Sequence, residues 1–133
     1  MLTREWLLDT NTAIAFLEGH DRVRRKFSTR CPDTLPYITV AELLFGAEKA
    51  AKLGTRARVA EFIKSFRMLP PTEATCRQYA LTLARMERER RGRIPSNDLW
   101  LACLALEWDA VLVTDDHHFD RVPGLRKENW LRD

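Results

Sequence analysis

Short apolar runs alternate along this chain with longer segments whose apolar residues recur at helical spacing. Runs of strand length cover 6–8, 35–38, 68–69 and 110–114. Helical patterns cover 10–19, 22–29, 55–66, 73–91 and 96–107, and another begins at Thr39 with Leu43, Leu44 and Ala47 on one face. This alternation predicts an α/β fold with a short, mainly parallel central sheet flanked by helices on both faces. No Pro/Gly/Ser-rich linker divides the sequence, so we expect one domain over 1–133.

Acidic residues stand where the predicted strands end. Asp9 follows the first strand, and Asp115 and Asp116 follow the last. Glu42 and Asp98 lie in the first turns of two helices that start near the same edge. Ligands of parallel α/β sheets bind outside the carboxyl ends of the strands, so we expect these carboxylates to converge there. Several carboxylates without a Cys or His cluster favour Mg²⁺ or Mn²⁺ as the cation that offsets their repulsion.

Each acid also has a local structural explanation. Asp9 is placed to cap the helix that follows it, and the acidic pair after the last strand suits a turn. Thr39 and Glu42 fit a capping box at the start of their helix. Ser96 is expected to cap the next helix, where Asp98 complements the helix dipole. Each alternative accounts for one acid, whereas a cation accounts for all of them together.

The remaining metal-binding and redox residues suggest no second site. His117 and His118 lie in a polar turn without cysteines or an HExxH motif, so we interpret them as surface residues, with metal ligation as a minor alternative. The widely spaced Cys31, Cys76 and Cys103 predict buried thiols in a reduced, cytoplasmic chain. No apolar run approaches the roughly 20 residues of a membrane span, so no membrane association is expected.

The charge is nearly balanced over the whole chain, with 22 Lys and Arg against 19 Asp and Glu and a formal net charge of +3. If four acids gather at one site, the rest of the surface is clearly basic and attracts a polyanion. Arg88, Arg91 and Arg93 lie shortly before Asp98, and we expect them to contact phosphates next to the acids. The alternative is a solvated helix face, because glutamates are interleaved with these arginines.

Four segments, taken in order, resemble the motifs of PIN-domain ribonucleases. They are 7–11 (LLDTN), 39–47 (TVAELLFGA), 94–102 (IPSNDLWLA) and 112–116 (LVTDD). Two further segments, 119–125 (FDRVPGL) and 128–130 (ENW), resemble the end of the VapC-type toxins of toxin–antitoxin pairs. The match spans almost the whole chain, and it implies a three-layer α/β/α domain of PIN type.

Carried over residue by residue, the resemblance implies metal-coordinating, catalytic acids at Asp9, Glu42, Asp98 and Asp116, with Asp115 as second choice for the fourth. Groups that orient the ligands or the attacking water are implied at Thr10, Asn11, Asn97 and Thr114. The expected cofactor is Mg²⁺, with Mn²⁺ as a substitute, and its role is to activate the water that cleaves a phosphodiester.

The resemblance also implies a function and partners. We expect a metal-dependent endoribonuclease, the toxin of a type II VapBC system, which cleaves structured cellular RNA such as a tRNA or rRNA loop and inhibits translation and growth. The implied partners are a VapB-like antitoxin, a second copy in a homodimer, and a larger toxin–antitoxin assembly. Helices near 13–17 and 43–53 are the candidate contact surfaces for the antitoxin.

Two other functions are considered. A catalytically silent PIN-like module would bind RNA or protein without cutting, although the presence of all four acids argues against it. A haloacid-dehalogenase-like, Mg²⁺-dependent phosphatase is suggested by the segment 9–12 (DTNT), which resembles the nucleophile motif of that family. That motif needs a second acid where this chain has Asn11.

Overall fold

The structure is a computed structural model that describes residues 5–132. In chain order, the elements within that range are β1 (Trp6–Leu8), α1 (Thr10–Leu17), α2 (Asp21–Arg30), β2 (Thr34–Pro36), α3 (Tyr37–Lys49), α4 (Thr55–Lys64), β3 (Arg67–Leu69), α5 (Glu73–Arg88), α6 (Ser96–Glu107), β4 (Val111–Val113), a 3₁₀ helix (His117–Arg121) and β5 (Arg126–Glu128).

The strands run parallel in two groups. Strand β4 lies between β1 and β5, with Leu8 opposite Val113 and Val113 opposite Glu128. Strands β2 and β3 form the second parallel pair. The hydroxyl of Thr39, three residues after β2, donates a 2.7 Å hydrogen bond to the carbonyl of Leu8, so the carboxyl ends of β1 and β2 lie together. The predicted α/β fold with a short parallel sheet is confirmed.

The core forms two layers because successive strand residues point to opposite faces of the sheet. Leu7 and Leu112 belong to the apolar cluster that contains the buried face of α6. Leu8 and Val113 belong to the other cluster, with residues of α1, α3 and α4. Helices therefore cover both faces, and this three-layer packing fixes the strand ends between the starts of α1 and α6.

The start of α3 differs from the sequence-based expectation. Strand β2 ends at Pro36 and the helix begins at Tyr37, so Thr39 lies inside the first turn instead of capping it. The capping box of Thr39 and Glu42 is therefore wrong, since the Thr39 hydroxyl is bonded to β1. Leu44, expected on the buried face, is 47% exposed.

Other local predictions also need correction. Pro95, not Ser96, is the N-cap of α6. The long helix predicted to reach Arg91 ends at Arg88. Strand β5 was not expected at all. Of the three cysteines, Cys103 is buried, and burial raises its pKa to about 11, whereas the other two thiols, Cys31 and Cys76, are exposed.

Among residues 5–132, no helix combines the length and the apolar character needed to cross a membrane.

Candidate metal centre

Asp9 links the end of β1 to the start of α1. Its backbone N–H donates to the carbonyl of Val113, and its side chain accepts a 2.9 Å hydrogen bond from the backbone N–H of Thr12 as the N-cap of α1. The residue is only 7% exposed. Burial raises the pKa of the Asp9 carboxyl, although hydrogen bonds from Thr114 and Thr12 act in the opposite direction. Asp9 thus has the capping role expected from the sequence and also faces the other acids.

Asp98 lies close enough to three other acids for their negative charges to affect its pKa. It lies in the first turn of α6. Burial is the largest cause that raises the pKa of the Asp98 carboxyl, and the negative charges of Asp116, Glu42 and Asp9 raise it further. Four acids that are far apart in the sequence are therefore close enough in space to repel one another.

Glu42 is held by the first residue of a neighbouring helix. The hydroxyl of Thr10 donates a 2.5 Å hydrogen bond to Oε1 of Glu42, across the contact between α1 and α3. This bond orients the Glu42 carboxylate toward the strand-end edge. The sequence predicted that Thr10 orients an acid, and its hydroxyl is placed to orient Glu42.

Asp115 and Asp116 point in different directions. Asp116 receives a 2.9 Å hydrogen bond from the backbone N–H of His118 and caps the 3₁₀ helix, while its own N–H donates to the hydroxyl of Thr114. Asp115 instead accepts a 2.6 Å hydrogen bond from Asn129. Of the two, Asp116 is the one whose carboxylate groups with Asp98.

His118 is exposed, as the sequence-based interpretation expected, but it also lies next to the acids, which favours metal ligation, the alternative that the sequence left as minor. One ligand atom each from Asp98, Asp116 and His118 lie within 4.8 Å of one another. His118 also offsets part of the negative field on Asp98. Its neighbour His117 also borders the hollow beside the acids, but its side chain is 93% exposed and pairs with Asp120. A signal existed in the sequence, because His118 is two residues after Asp116 within the same turn.

A hollow of about 410 Å³ opens beside this cluster. Asn11, Asp116, His118 and Arg121 are part of its lining. Arg121 was not singled out from the sequence, although a guanidinium next to a group of acids is suited to contact a phosphate. Its Nη1 donates a 2.7 Å hydrogen bond to the carbonyl of Arg93.

The other polar residues predicted near the site have simpler surroundings. Asn97 is exposed beside Asp98 at the start of α6. Arg88 is exposed at the end of α5, and Arg93 is exposed in the loop that follows. Arg91 forms a 2.6 Å ion pair with Glu89, which agrees with the alternative of a solvated, charge-paired surface for that residue.

The donor set fits a divalent cation. Carboxylate oxygens are the ligands that Mg²⁺ and Mn²⁺ prefer, and an imidazole nitrogen extends the range to other transition ions. The raised pKa values of Asp9 and Asp98 are the expected result when several carboxylates share a partly buried site without a cation to offset their charge.

Comparisons with known proteins agree with this fold. The family model of the PIN domain matches residues 6–125, so the chain belongs to the PIN-domain family. Relatives of the chain include VapC ribonucleases. Ribonuclease VapC1 of Haemophilus influenzae is 29% identical over 133 residues, which cover 96% of this chain and 98% of the relative. The tRNA(fMet)-specific endonuclease VapC of Salmonella typhimurium is 30% identical over 132 residues, with 95% and 98% covered.

Solved structures give the same result. The DNA-bound VapBC complex of Salmonella typhimurium contains a chain that matches with a TM-score of 0.83 and 27% identity, over 96% of this chain and 98% of the other. A chain of VapBC-1 from Haemophilus influenzae matches with a TM-score of 0.81 and 28% identity, over the same shares. The resemblance to VapC-type PIN domains is thereby confirmed.

Proposed function

We propose that this chain is a metal-dependent endoribonuclease that acts as the toxin of a VapBC pair. The observation that carries the proposal is the convergence of Asp9, Glu42 and Asp116 on Asp98 at the carboxyl ends of parallel strands. No local structural need explains why four acids should share one partly buried place. A bound cation does explain it, and it turns an unfavourable cluster of charges into a site for a phosphodiester.

The roles of the side chains follow from their positions. Asp98 and Asp116 would hold the ion, Asp9 would contribute its charge from the end of β1, and Glu42 would be kept in place by Thr10. When bound, Mg²⁺ or its substitute Mn²⁺ supplies a water of lowered pKa and a positive charge for the scissile phosphate. Groups placed to orient the acids or the water are Thr10, Asn11, Asn97 and Thr114.

The test compares two conservative changes in purified protein. Asp98→Asn removes a charge from the cluster, while Asp109→Asn removes one from an exposed turn with positive φ, a conformation that asparagine tolerates. We expect Asp98→Asn to lower Mn²⁺-dependent RNA cleavage by about 100-fold or more, since it removes a metal ligand. Asp109→Asn should cleave at the wild-type rate. Equal activity of all three proteins, or cleavage that survives EDTA, would refute the assignment.

The substrate is proposed from the relatives and from the shape of the site. One relative is named as a tRNA(fMet)-specific endonuclease. An open hollow lined by Arg121 and Asn11 suits a loop of structured RNA, such as that of a tRNA or rRNA, because a loop presents its backbone outside a helix. Expression of wild type and Asp98→Asn, with mapping of new RNA ends, tests this. Wild type alone should generate new ends, inhibit translation and arrest growth.

A VapB-like antitoxin is the proposed partner, and an apolar surface beside the acids supports this. Ile14 of α1 and Leu44 and Phe45 of α3 are exposed. Ile14 and several residues of α3, Glu42 among them, line a hollow of about 200 Å³. An amphipathic segment could cover these side chains and place an arginine against the acids. Phe45→Glu should then abolish binding of the antitoxin encoded next to this chain while RNA cleavage remains. Intact binding by that variant would contradict the assignment.

Assembly and location complete the proposal. A homodimer, joined with antitoxins into a larger complex, is proposed by analogy with the relatives, whose structures are VapBC complexes. Leu81, exposed on α5, is a candidate dimer contact. Leu81→Lys should reduce the mass measured by sedimentation if that helix forms the interface. Because its substrate would be cellular RNA, we place the protein in the cytoplasm.

The two alternatives are less well supported. A silent binding module would not need Thr10 to hold Glu42, nor Asp116 to face Asp98. It would shift RNA in a gel in the presence of Mn²⁺ and leave the RNA uncut. The dehalogenase-type phosphatase lacks its second acid, because Asn11 occupies that position on the rim of the hollow.

A further inference from the structure

We propose that His118 supplies a nitrogen ligand to the cation of this site, so that the site selects Mn²⁺ or a similar transition ion over Mg²⁺. The inference rests on the proposed metal-dependent function and deepens it by identifying the class of ion. The sequence pattern alone favours Mg²⁺ or Mn²⁺ and does not distinguish between them, because the four acids supply only oxygen ligands. The structure adds an imidazole to that set.

The position of His118 is built into the fold. The next residue, Phe119, is 1% exposed and packs in the core, which anchors the 3₁₀ helix. Asp116 caps that helix by accepting a hydrogen bond from the backbone N–H of His118. These contacts fix the backbone at His118, and the side chain itself approaches Asp116, while its 47% exposure leaves it accessible to an ion that enters from solvent.

The distances fit two ligands of one ion. Nδ1 of His118 lies 3.2 Å from Oδ1 of Asp116. Two adjacent ligands of an octahedral ion with bonds of about 2.1 Å lie about 3.0 Å apart. Asp98 can contribute a third ligand atom, because one ligand atom each of Asp98, Asp116 and His118 lie within 4.8 Å of one another. An ion would therefore find a carboxylate and an imidazole at nearly the right separation, with a second carboxylate within a short movement.

The chemistry of the imidazole then decides which ion is preferred. Mg²⁺ binds oxygen ligands and retains its waters, so it gains little from a nitrogen. Transition ions gain more from an imidazole than Mg²⁺ does, and their affinity for nitrogen ligands rises from Mn²⁺ toward the later members of the series. With His118 in the set, the ratio of Mn²⁺ to Mg²⁺ affinity should rise, although the four acids stay the same.

The chain offers a matched control in the adjacent residue. His117 belongs to the same 3₁₀ helix and borders the same hollow, but its side chain is 93% exposed and pairs with Asp120 instead of with Asp98 or Asp116. His117→Ala therefore removes an imidazole from the same turn without touching the acids. His118→Ala removes the proposed ligand, and His118→Gln replaces the nitrogen with a neutral oxygen donor. Circular dichroism and melting temperature would show that each variant is folded.

The experiment uses Mn²⁺ as the probe and electron spin-echo spectroscopy as the direct readout. We expect ¹⁴N coupling to bound Mn²⁺ in the wild type and in His117→Ala, and its loss in His118→Ala and His118→Gln. Binding titrations should show Mn²⁺ affinity reduced about 10-fold or more in His118→Ala. Mg²⁺ affinity, measured by competition against Mn²⁺, should change much less. His118→Gln should favour Mg²⁺ relative to the wild type.

The outcomes separate this inference from the proposed function. Mn²⁺ binding and RNA cleavage without ¹⁴N coupling would overturn the role of His118 and leave the ribonuclease assignment standing. Equal losses of Mn²⁺ and Mg²⁺ affinity in His118→Ala would also overturn it, because the residue would then only shape the site. A folded wild type that neither binds Mn²⁺ nor cuts RNA would overturn both.

Discussion

The side-chain amide of Asn129 donates a 2.6 Å hydrogen bond to Oδ1 of Asp115, and this contact gives two adjacent acids different surroundings. Asn129 uses its own carbonyl oxygen to accept hydrogen bonds from the backbone N–H groups of Leu131 and Arg132. Asp115 is thus tied to the C-terminal segment, while Asp116 caps the 3₁₀ helix and lies next to Asp98 and His118. Asp115 therefore stabilises the C-terminal segment, whereas Asp116 is a candidate metal ligand.

This difference makes the two acids separable by the same conservative change. Asp116→Asn should lower RNA cleavage by about 100-fold or more and weaken Mn²⁺ binding, because it removes a ligand charge. Asp115→Asn should keep cleavage within about 5-fold of the wild type, since an amide can still accept the bond from Asn129. Cleavage rates and Mn²⁺ titrations of the two variants measure the contrast. If Asp115→Asn were the more damaging change, the two acids would have been assigned the wrong way round.

The raised pKa of Asp98 predicts a pH dependence of stability. A raised folded-state pKa means that the charged carboxylate is less favourable in the folded chain than in the unfolded one. Metal-free wild type therefore loses stability as the pH rises from the ordinary Asp pKa of 3.8 through the raised value, and Asp98→Asn lacks this contribution. Other groups titrate in the same window, so the informative quantity is the difference in Tm between the two proteins.

In EDTA, that difference should be near zero at low pH. At neutral pH it should favour Asp98→Asn, because the variant lacks a carboxylate whose charge is disfavoured by burial and by the neighbouring acids. Adding Mn²⁺ should reverse the order, because the ion stabilises the wild type by binding to its folded form. A Tm difference that does not change with pH would show that the charge of Asp98 does not destabilise the folded, metal-free protein.

The parts of the site that lie at strand ends could be predicted from the sequence, while parts set by tertiary contacts could not. Asp9 and Asp116 follow buried apolar strands, and parallel strands bring their ends to one edge. Strand β5, in contrast, has the polar sequence Arg126–Glu128, and only its pairing with β4 makes it a strand. The contact of His118 with the acids depends on the turn of the 3₁₀ helix, which hydrophobic periodicity does not report.

Thr39 illustrates the same limit. Its sequence context fits a capping box, yet its hydroxyl lies deep in the fold and bonds the end of β1. A threonine is a plausible cap in isolation, and only the position of β2 beside β1 shows that this hydroxyl has another acceptor. The Thr39 hydroxyl joins the ends of β1 and β2. Asp9 directly follows β1, and Glu42 lies in the helix that follows β2.

That role predicts a measurable cost for removing the hydroxyl. Thr39→Val keeps the shape of the side chain but leaves the carbonyl of Leu8 without this donor in a buried place. We expect the free energy of unfolding to fall by about 1–3 kcal/mol. Thr29→Val, at an exposed threonine of α2 that bonds carbonyls of its own helix, should change it by less than about 0.5 kcal/mol. Urea denaturation of both variants gives the comparison, and equal losses would contradict a special role for Thr39.

Arg121 supplies the last prediction, which concerns the substrate. Its guanidinium lines the hollow beside Asp116 and is held by the carbonyl of Arg93, so a phosphate can meet a charge whose position is already fixed. In an Asp98→Asn background, which prevents cutting, Arg121→Ala should weaken RNA binding and lower the slope of log affinity against log salt by about 0.7–1, as expected for the loss of one phosphate contact. Arg77→Ala, an exposed arginine paired with Glu73 on α5, should leave both quantities unchanged. An unchanged salt slope in Arg121→Ala would mean that the RNA backbone takes another path, and the exposed Arg88 and Arg93 would be the next residues to substitute.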